Sequence, residues 1–370
     1  MKLKPALLAS VCASALVFAP ALQAKPFKWS SQGEITTWDI HTANNALQNG
    51  LHSNVYESLL YYNSRTFKLE PVLATGWRQV SPTLLRISLR QGVKFHDGSA
   101  FTADDAVFSI KRAMSKNSQF QIYTSGVSDV VKVNDSTIDI LTRAPNPVLD
   151  RQLTELRMMS KAWAEKNNSV DPWDIRGKEN NFAHLNANGT GPFMLRQWAP
   201  DQRMVFARNP NWWGTMEGNV TELTYLPIKS DATRIAALLS GEVDMVLDPT
   251  PQDLGRLRSN ANLRVIDGVE NRTIFFGMDQ QREELVNSNI KGKNPLKDVR
   301  VRRALYQAID AEGIAKSIMR GLGQPTGAMV APQVQGWNEA LHKRLPFDQD
   351  APRVFPERGT LAYHRRVFRR

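Results

Sequence analysis

Cysteine is nearly missing from this 370-residue chain: the single one, Cys12, lies in an apolar stretch near the start. Residues 25–370 therefore carry no disulfide, no zinc–thiolate site and no cysteine nucleophile. Long apolar runs are missing too. After residue 24 no stretch of about 18 apolar residues occurs, so no membrane-spanning helix is expected there. Catalytic signatures are equally scarce: the sequence has no H-E-x-x-H, no G-x-S-x-G and no Walker loop. Gly189-Thr190-Gly191 fails the dinucleotide fingerprint because Met194 stands where the last glycine belongs. The six histidines are scattered without metal-ligand spacing. These gaps predict a protein without enzymatic activity, cofactor or metal.

Positive charge looks abundant, at +11 net, but its distribution is uneven. The first 24 residues contribute +2 and the last 20 contribute +5, which leaves +4 for the body. No basic stripe with interleaved aromatics appears, so nucleic acid is not an expected partner. At 42% hydrophobic and 22% charged residues the chain is neither disordered nor a polytopic membrane protein. Its length suits two or three domains with cores of their own.

Residues 1–24 have a basic start, an apolar run and the small-residue ending Leu22-Gln23-Ala24. That is the form of a secretory signal peptide, with cleavage expected near Ala24 and an exported, periplasmic product.

Further along, Leu47, Leu51, Val55 and Leu59 recur every four residues and predict a helix over 47–60. Leu85, Ile87 and Leu89 alternate with polar residues and predict a half-buried strand over 83–90. Phe95 to Gly98 predicts a turn, in which His96 beside Asp97 is read as turn chemistry rather than a ligand pair. Thr102 with Asp105 three residues on predicts a capped helix start. Val131, Val133, Ile138 and Ile140 around Asn134-Asp135-Ser136 predict a hairpin. Met204 and Phe206 predict a strand. Asp231 is read as a helix cap, with Ile235, Leu238 and Leu239 on one face and Gly241 as the stop. Val243, Met245 and Leu247 then alternate as a strand, so this unit predicts an α/β layer. Two more helices are expected over 298–320, the second capped by Asp310 and ending at Gly321.

Five segments in this order are distinctive. They are LEPVLATGW at 69–77, LRQGVKFHDG at 89–98 running into FTADD at 101–105, GTGPF at 189–193 before NPNWW at 209–213, Arg234 leading into ALLSGEVD at 237–244, and DVRVRRAL at 298–305. Together they resemble the extracellular solute-binding proteins of dipeptide and oligopeptide ABC transporters, over roughly residues 28–350. The resemblance implies an α/β, periplasmic-binding-protein type II-like fold of two lobes around a cleft, with an inserted α/β domain. The implied division is 25–58 with 178–265 for the first lobe, 59–177 for the inserted domain and 266–350 for the start of an incomplete second lobe. The implied function is capture of a peptide or similar small solute, delivered by a monomer to an ABC permease in the inner membrane. Other solutes such as a nickel complex or an opine are the alternative within the fold. A secreted hydrolase and a non-functional remnant are alternatives outside it.

The loop from Trp38 to Ala46 is similar to the family's Leu-Asp-Pro-containing segment. An ungapped register carries peptide-backbone contacts onto Asn44, Asn45 and Ala46, with an ordinary helix cap as the competing reading. Tyr123 is a candidate aromatic wall, or else a core tyrosine. Trp212 and Trp213 are read as packing residues rather than ligand stackers.

Residues 346–351 resemble the family's Tyr-Asp-Pro-Glu-Lys-Ala, which is normally followed by Leu-Leu-x-Glu-Ala-Gly-Tyr-Pro. Here an Arg-rich ending follows instead. Read one base earlier, codons for residues 354–361 permit Leu-x-x-Ala-Gly-Tyr-Pro. A frameshifted tail over 351–370 is therefore expected, with a natural short form as the alternative.

Overall fold

The computed structural model describes residues 25–350, apart from 178, 269, 333 and 335. The expected signal peptide with Cys12, and the expected frameshifted tail, lie outside the described residues. The chain divides into two compact units, one ending at Asp248 and the other starting at Pro249.

In the first unit, β1 (Lys25–Ser31) leads through a long loop to α1 (Ala46–His52). Then come β2 (Leu60–Asn63), β3 (Lys68–Pro71), β4 (Ala74–Ser81) and β5 (Leu84–Leu89). Helices α2 (Ala103–Ala113) and α3 (Gln121–Thr124) precede the hairpin β6 (Val127–Asn134) and β7 (Thr137–Thr142). Short helices α4 (Leu149–Gln152) and α5 (Lys161–Lys166) lead to β8 (Phe193–Ala199), β9 (Arg203–Arg208) and β10 (Val220–Pro227). Helix α6 (Asp231–Ser240) and β11 (Met245–Val246) complete the unit.

Strands from both ends of the unit build one five-stranded sheet, in the order β11-β1-β10-β9-β8. Strand β1 runs parallel to β10 and β11, and β10, β9 and β8 are antiparallel. This mixed sheet with α6 carries the expected α/β layer. Between its strands in sequence lie a β2–β3 hairpin and a four-stranded antiparallel sheet, β4-β5-β7-β6.

The two larger sheets have separate cores. Leu85, Ile87 and Leu89 face inward from β5 as their alternation demands, against Phe101, Ile110, Val130 and Ile140. The second core joins Trp38, Ile40, Leu51, Val55 and Tyr56 to Phe193, Met204, Phe206 and Tyr225. Helix α2 starts where expected: the Thr102 N–H donates to the Asp105 carboxylate at 2.8 Å, closing the capping box.

Of three expectations here, two need correction and one is met. Helix α1 stops at His52 instead of running to residue 60. The carbonyls of Asn54 and Val55 instead accept the N–H groups of Phe193 and Gly191, at 3.0 and 2.9 Å. A continued helix would have spent those carbonyls internally. Secondly, the hairpin expected around residues 134–136 forms as β6–β7, and a register shift between Val127 and Asp129 turns Val127 and Val130 inward while Val131 and Val133 are exposed. Thirdly, Ser230 rather than Asp231 caps α6, and Asp231 pairs with the buried Arg234. Beyond that helix only Val243 of the alternating residues is buried. Gly241 ends α6 as expected, in the left-handed conformation at φ 77°.

The second unit contains α7 (Leu254–Ser259), α8 (Val299–Gln307), α9 (Ala311–Gly313) and α10 (Glu339–His342), and no strand among its described residues. Asp298 caps α8 and Asp310 caps α9, which continues as a π-helical turn over Ile314–Ile318. Gly321 follows at φ 84°, where the second helix was expected to end. Leu254, Leu257 and Ala304 are its buried apolar residues, whereas Ile266, Ile274 and Phe276 are 80%, 85% and 78% exposed.

Candidate functional site

The loop between β1 and α1 is anchored from below. Trp38 is fully buried, with its ring 5.1 Å from His52 and 5.5 Å from Phe206. The next residue, Asp39, meets Arg112 of α2 in a two-point ion pair at 2.6 and 2.7 Å. Its carboxylate also accepts the Trp173 N–H at 3.0 Å and the Asn181 amide at 2.8 Å. Other Arg112 donors reach the carbonyls of Ser169, Val170 and Asp171, and Nη1 also lies 3.4 Å from His41 Nδ1. Burial alone would raise the Asp39 carboxyl; the Arg112 charge and these hydrogen bonds outweigh it and hold it well below the usual carboxylate range. Neighbouring His41 is pushed down to about 3 by burial and by the Arg112 charge, so it is neutral.

From this anchored root the loop emerges at Asn44. Its backbone N–H donates to the Gln119 side-chain oxygen at 2.9 Å. Its side-chain amide donates to the Tyr123 hydroxyl at 3.3 Å and accepts from the Asn49 amide at 2.8 Å. Asn45 is exposed, and its side chain caps α1 by accepting the Gln48 N–H at 3.0 Å. Ala46 is exposed as the first residue of α1. Tyr123 is half-buried, its ring 5.8 Å from Phe120. So Asn44 and Tyr123 meet directly, although 79 residues separate them. Gln119 and Asn49, which hold Asn44 in place, carry no signal in the sequence pattern; only the fold gathers them.

A second constellation explains the glycine and tryptophan motifs. Glu57 is buried, and its carboxylate accepts three hydrogen bonds: from Thr190 Oγ1 at 2.8 Å, Trp212 Nε1 at 3.1 Å and Trp213 Nε1 at 2.9 Å. The Arg90 guanidinium lies 4.1 Å over the Trp213 ring. Burial raises the Glu57 carboxyl, and the hydrogen bonds oppose that rise. Gly189 passes so close to this turn that a Cβ there would sit 2.0 Å from the Val55 carbonyl oxygen. His96 Nε2 lies 3.0 Å from the Gly191 carbonyl, while the Asp97 carboxylate accepts from the Asn188 amide. These motif residues build the fold, as the packing reading of Trp212 and Trp213 requires. Among the described residues, no three His, Cys, Asp or Glu side chains converge as a metal site.

Comparison with known proteins gives a consistent picture. The dipeptide-binding protein of Escherichia coli K12 is 26% identical over 93% of this chain and 65% of its own length. The periplasmic binding protein DppA from Helicobacter pylori, solved with the peptide STSA, superposes with a TM-score of 0.76 at 22% identity. That match covers 90% of this chain and 65% of the other. A dipeptide-binding protein from Pseudoalteromonas sp. SM9913, solved with Met-Leu, gives 0.75 at 20% identity, over 91% of this chain and 67% of the other. The chain thus spans about two thirds or less of the length of these relatives. The two-lobe expectation for the fold agrees with these structures. Residues 68–354 match the model "bacterial extracellular solute-binding proteins, family 5 Middle", and the chain belongs to that family.

Proposed function

We propose that this protein is the exported solute-capturing component of a peptide-type ABC importer, acting as a monomer that hands its ligand to an inner-membrane permease. The match of residues 68–354 to the solute-binding family carries this reading. Capture without turnover suits a chain whose motif residues serve the fold. Among the described residues no helix is long and apolar enough to cross a membrane. Export through the leader-like residues 1–24 belongs to the same reading.

The division proposed is a first lobe of residues 25–58 and 178–265, an inserted domain of 59–177, and a second-lobe segment of 266–350. Two separate cores within the unit ending at Asp248 support the first two parts. The ligand-facing residues proposed are Asn44, Asn45 and Ala46 on the loop, with Tyr123 as a wall. The Asn44–Tyr123 hydrogen bond supports treating them as one surface, since it joins the loop to the inserted segment.

A melting series tests the proposal. Met-Leu and Ser-Thr-Ser-Ala should each raise the melting temperature in proportion to the logarithm of their concentration. A nickel–histidine complex and an opine should leave it unchanged. A shift with either of those alone would replace the peptide reading with the other solute class.

A further inference from the structure

We propose that the β2–β3 hairpin is a docking surface for an anionic phospholipid bilayer. The proposal goes beyond peptide capture and shares no residue with the ligand-facing set.

The hairpin forms a two-stranded sheet of its own, beside the two larger ones. It carries three exposed aromatic side chains. Tyr61, Tyr62 and Phe67 are 52%, 36% and 51% exposed, and the rings of Tyr62 and Phe67 lie 6.4 Å apart. Asn63 orders the tip between them. Its side-chain oxygen accepts the N–H groups of Arg65 and Thr66 at 2.9 and 3.2 Å, and its carbonyl accepts the Phe67 N–H at 2.8 Å. Phe67 closes this turn at φ 56°. A bulky side chain is costly in that left-handed conformation, and glycine is not. A turn shaped for stability alone would carry glycine there. The phenyl ring instead holds an exposed place beside Tyr62.

Charge and size select the occupant. Arg65 and Lys68 are exposed at the tip, and neither has a carboxylate within 4.0 Å among the described residues. Glu70 is the one acid of the hairpin, and its carboxylate is turned onto the Asn63 amide at 2.7 Å. Helix α4 packs against β2 and brings Asp150 and Arg151, whose charges cancel. The tip is therefore net positive. Tyrosine hydroxyls, a phenyl ring and two cations match the headgroup layer of an anionic bilayer, where rings enter the acyl boundary and cations meet phosphate. A stable protein interface would need roughly 800 Å² from each partner. Two four-residue strands offer no such area. For a protein that delivers to a membrane permease, such docking shortens the search from three dimensions to two.

Co-sedimentation of the full-length protein with vesicles tests this, using phosphatidylglycerol mixed equally with phosphatidylcholine, and phosphatidylcholine alone. Binding should be at least about fivefold stronger on the mixed vesicles. Arg65→Gln and Lys68→Gln should each weaken it about fivefold, and Tyr62→Ser/Phe67→Gly at least as much. Calorimetric titration with Met-Leu should be unchanged in all three variants, which separates this proposal from peptide capture. A fluorescent label localises the contact, since the basic ends of the chain also attract anionic lipid. In a Cys12→Ser background, an environment-sensitive dye on Thr66→Cys should brighten on the mixed vesicles. The same dye on Asp135→Cys, at the tip of the β6–β7 hairpin, should not. Equal binding to both vesicle types overturns the proposal. So does binding that persists in the hairpin variants, or that leaves the Thr66 label dark.

Discussion

Asp39 and Arg112 form a two-point ion pair in which both side chains are essentially excluded from solvent, at 1% exposure or less. It ties the loop that carries Asn44 to helix α2, and the other hydrogen bonds around it go to Trp173, Asn181, the 169–171 carbonyls and His41. Such a pair is expensive to break from one side, because the survivor stays buried and charged. Asp39→Asn or Arg112→Met should each lower the unfolding free energy by about 3–5 kcal/mol. Urea denaturation of each variant, and of the double variant Asp39→Asn/Arg112→Met, checks this. The double variant should lose less than the two singles together; strict additivity would mean the pair acts as two independent groups.

Acid sensitivity follows chiefly from two fully buried histidines, with His96 and His184 also pushed down by burial. His41 and His52 are buried, and burial pushes both imidazoles down to about 3. In the unfolded chain they titrate near their ordinary value of about 6.5. Below that pH the unfolded state binds protons that the folded state does not, so stability falls as pH drops toward 3. By pH 5 each histidine costs about 2 kcal/mol, and the melting temperature should drop by roughly 10 °C from its value at pH 7. The buried Glu57 carboxyl, raised by its burial, acts in the opposite sense. His52→Gln isolates one histidine's effect and should remove at most about half the drop, since His41, His96 and His184 remain. An unchanged pH profile in that variant would assign the acid sensitivity elsewhere.

The Gly189 backbone leaves no room for a side chain. Gly189→Ala would place its Cβ 2.0 Å from a backbone oxygen and 2.7 Å from its carbon, neither of which can swing away. This substitution should destabilise the protein by more than about 4 kcal/mol, a range reserved for severe mechanisms. Gly255→Ala, where nothing lies within 4 Å of the added methyl, should be well tolerated. Soluble yield and melting temperature of the two variants give the comparison.

Glu57 gathers three donors from two distant segments. Glu57→Gln keeps an acceptor in place and should cost about 1–2 kcal/mol. Glu57→Leu strands two indole N–H groups and a hydroxyl, and should cost at least twice as much. Near-ultraviolet circular dichroism should report the change through Trp212 and Trp213. Equal losses in the two variants would mean that volume, not hydrogen bonding, matters at this position.

Local patterns in the sequence were readable where a single element decides its own shape. The β5 alternation, the Thr102–Asp105 cap, the 134–136 turn and the Gly241 stop all follow from neighbours a few residues apart. The apolar spacing of Leu47, Leu51, Val55 and Leu59 misled because each side chain is wanted in a core for reasons other than helicity. Val55 is buried, yet its carbonyl belongs to Gly191, 136 residues further on. The same holds for the site. Asn44 and Tyr123 were singled out separately, and their contact could not be read from spacing. Arg112, Glu57 and Gln119 gave no pattern, since partners 73, 75, 133 or 155 residues away define their roles.

Equilibrium titration with Met-Leu, followed by mass spectrometry of the recovered ligand, tests the central claim most directly. Saturable binding of one peptide per chain, with the peptide returned intact, is the result this account predicts. Hydrolysis of the peptide, or the absence of saturable binding by any peptide offered, would contradict it.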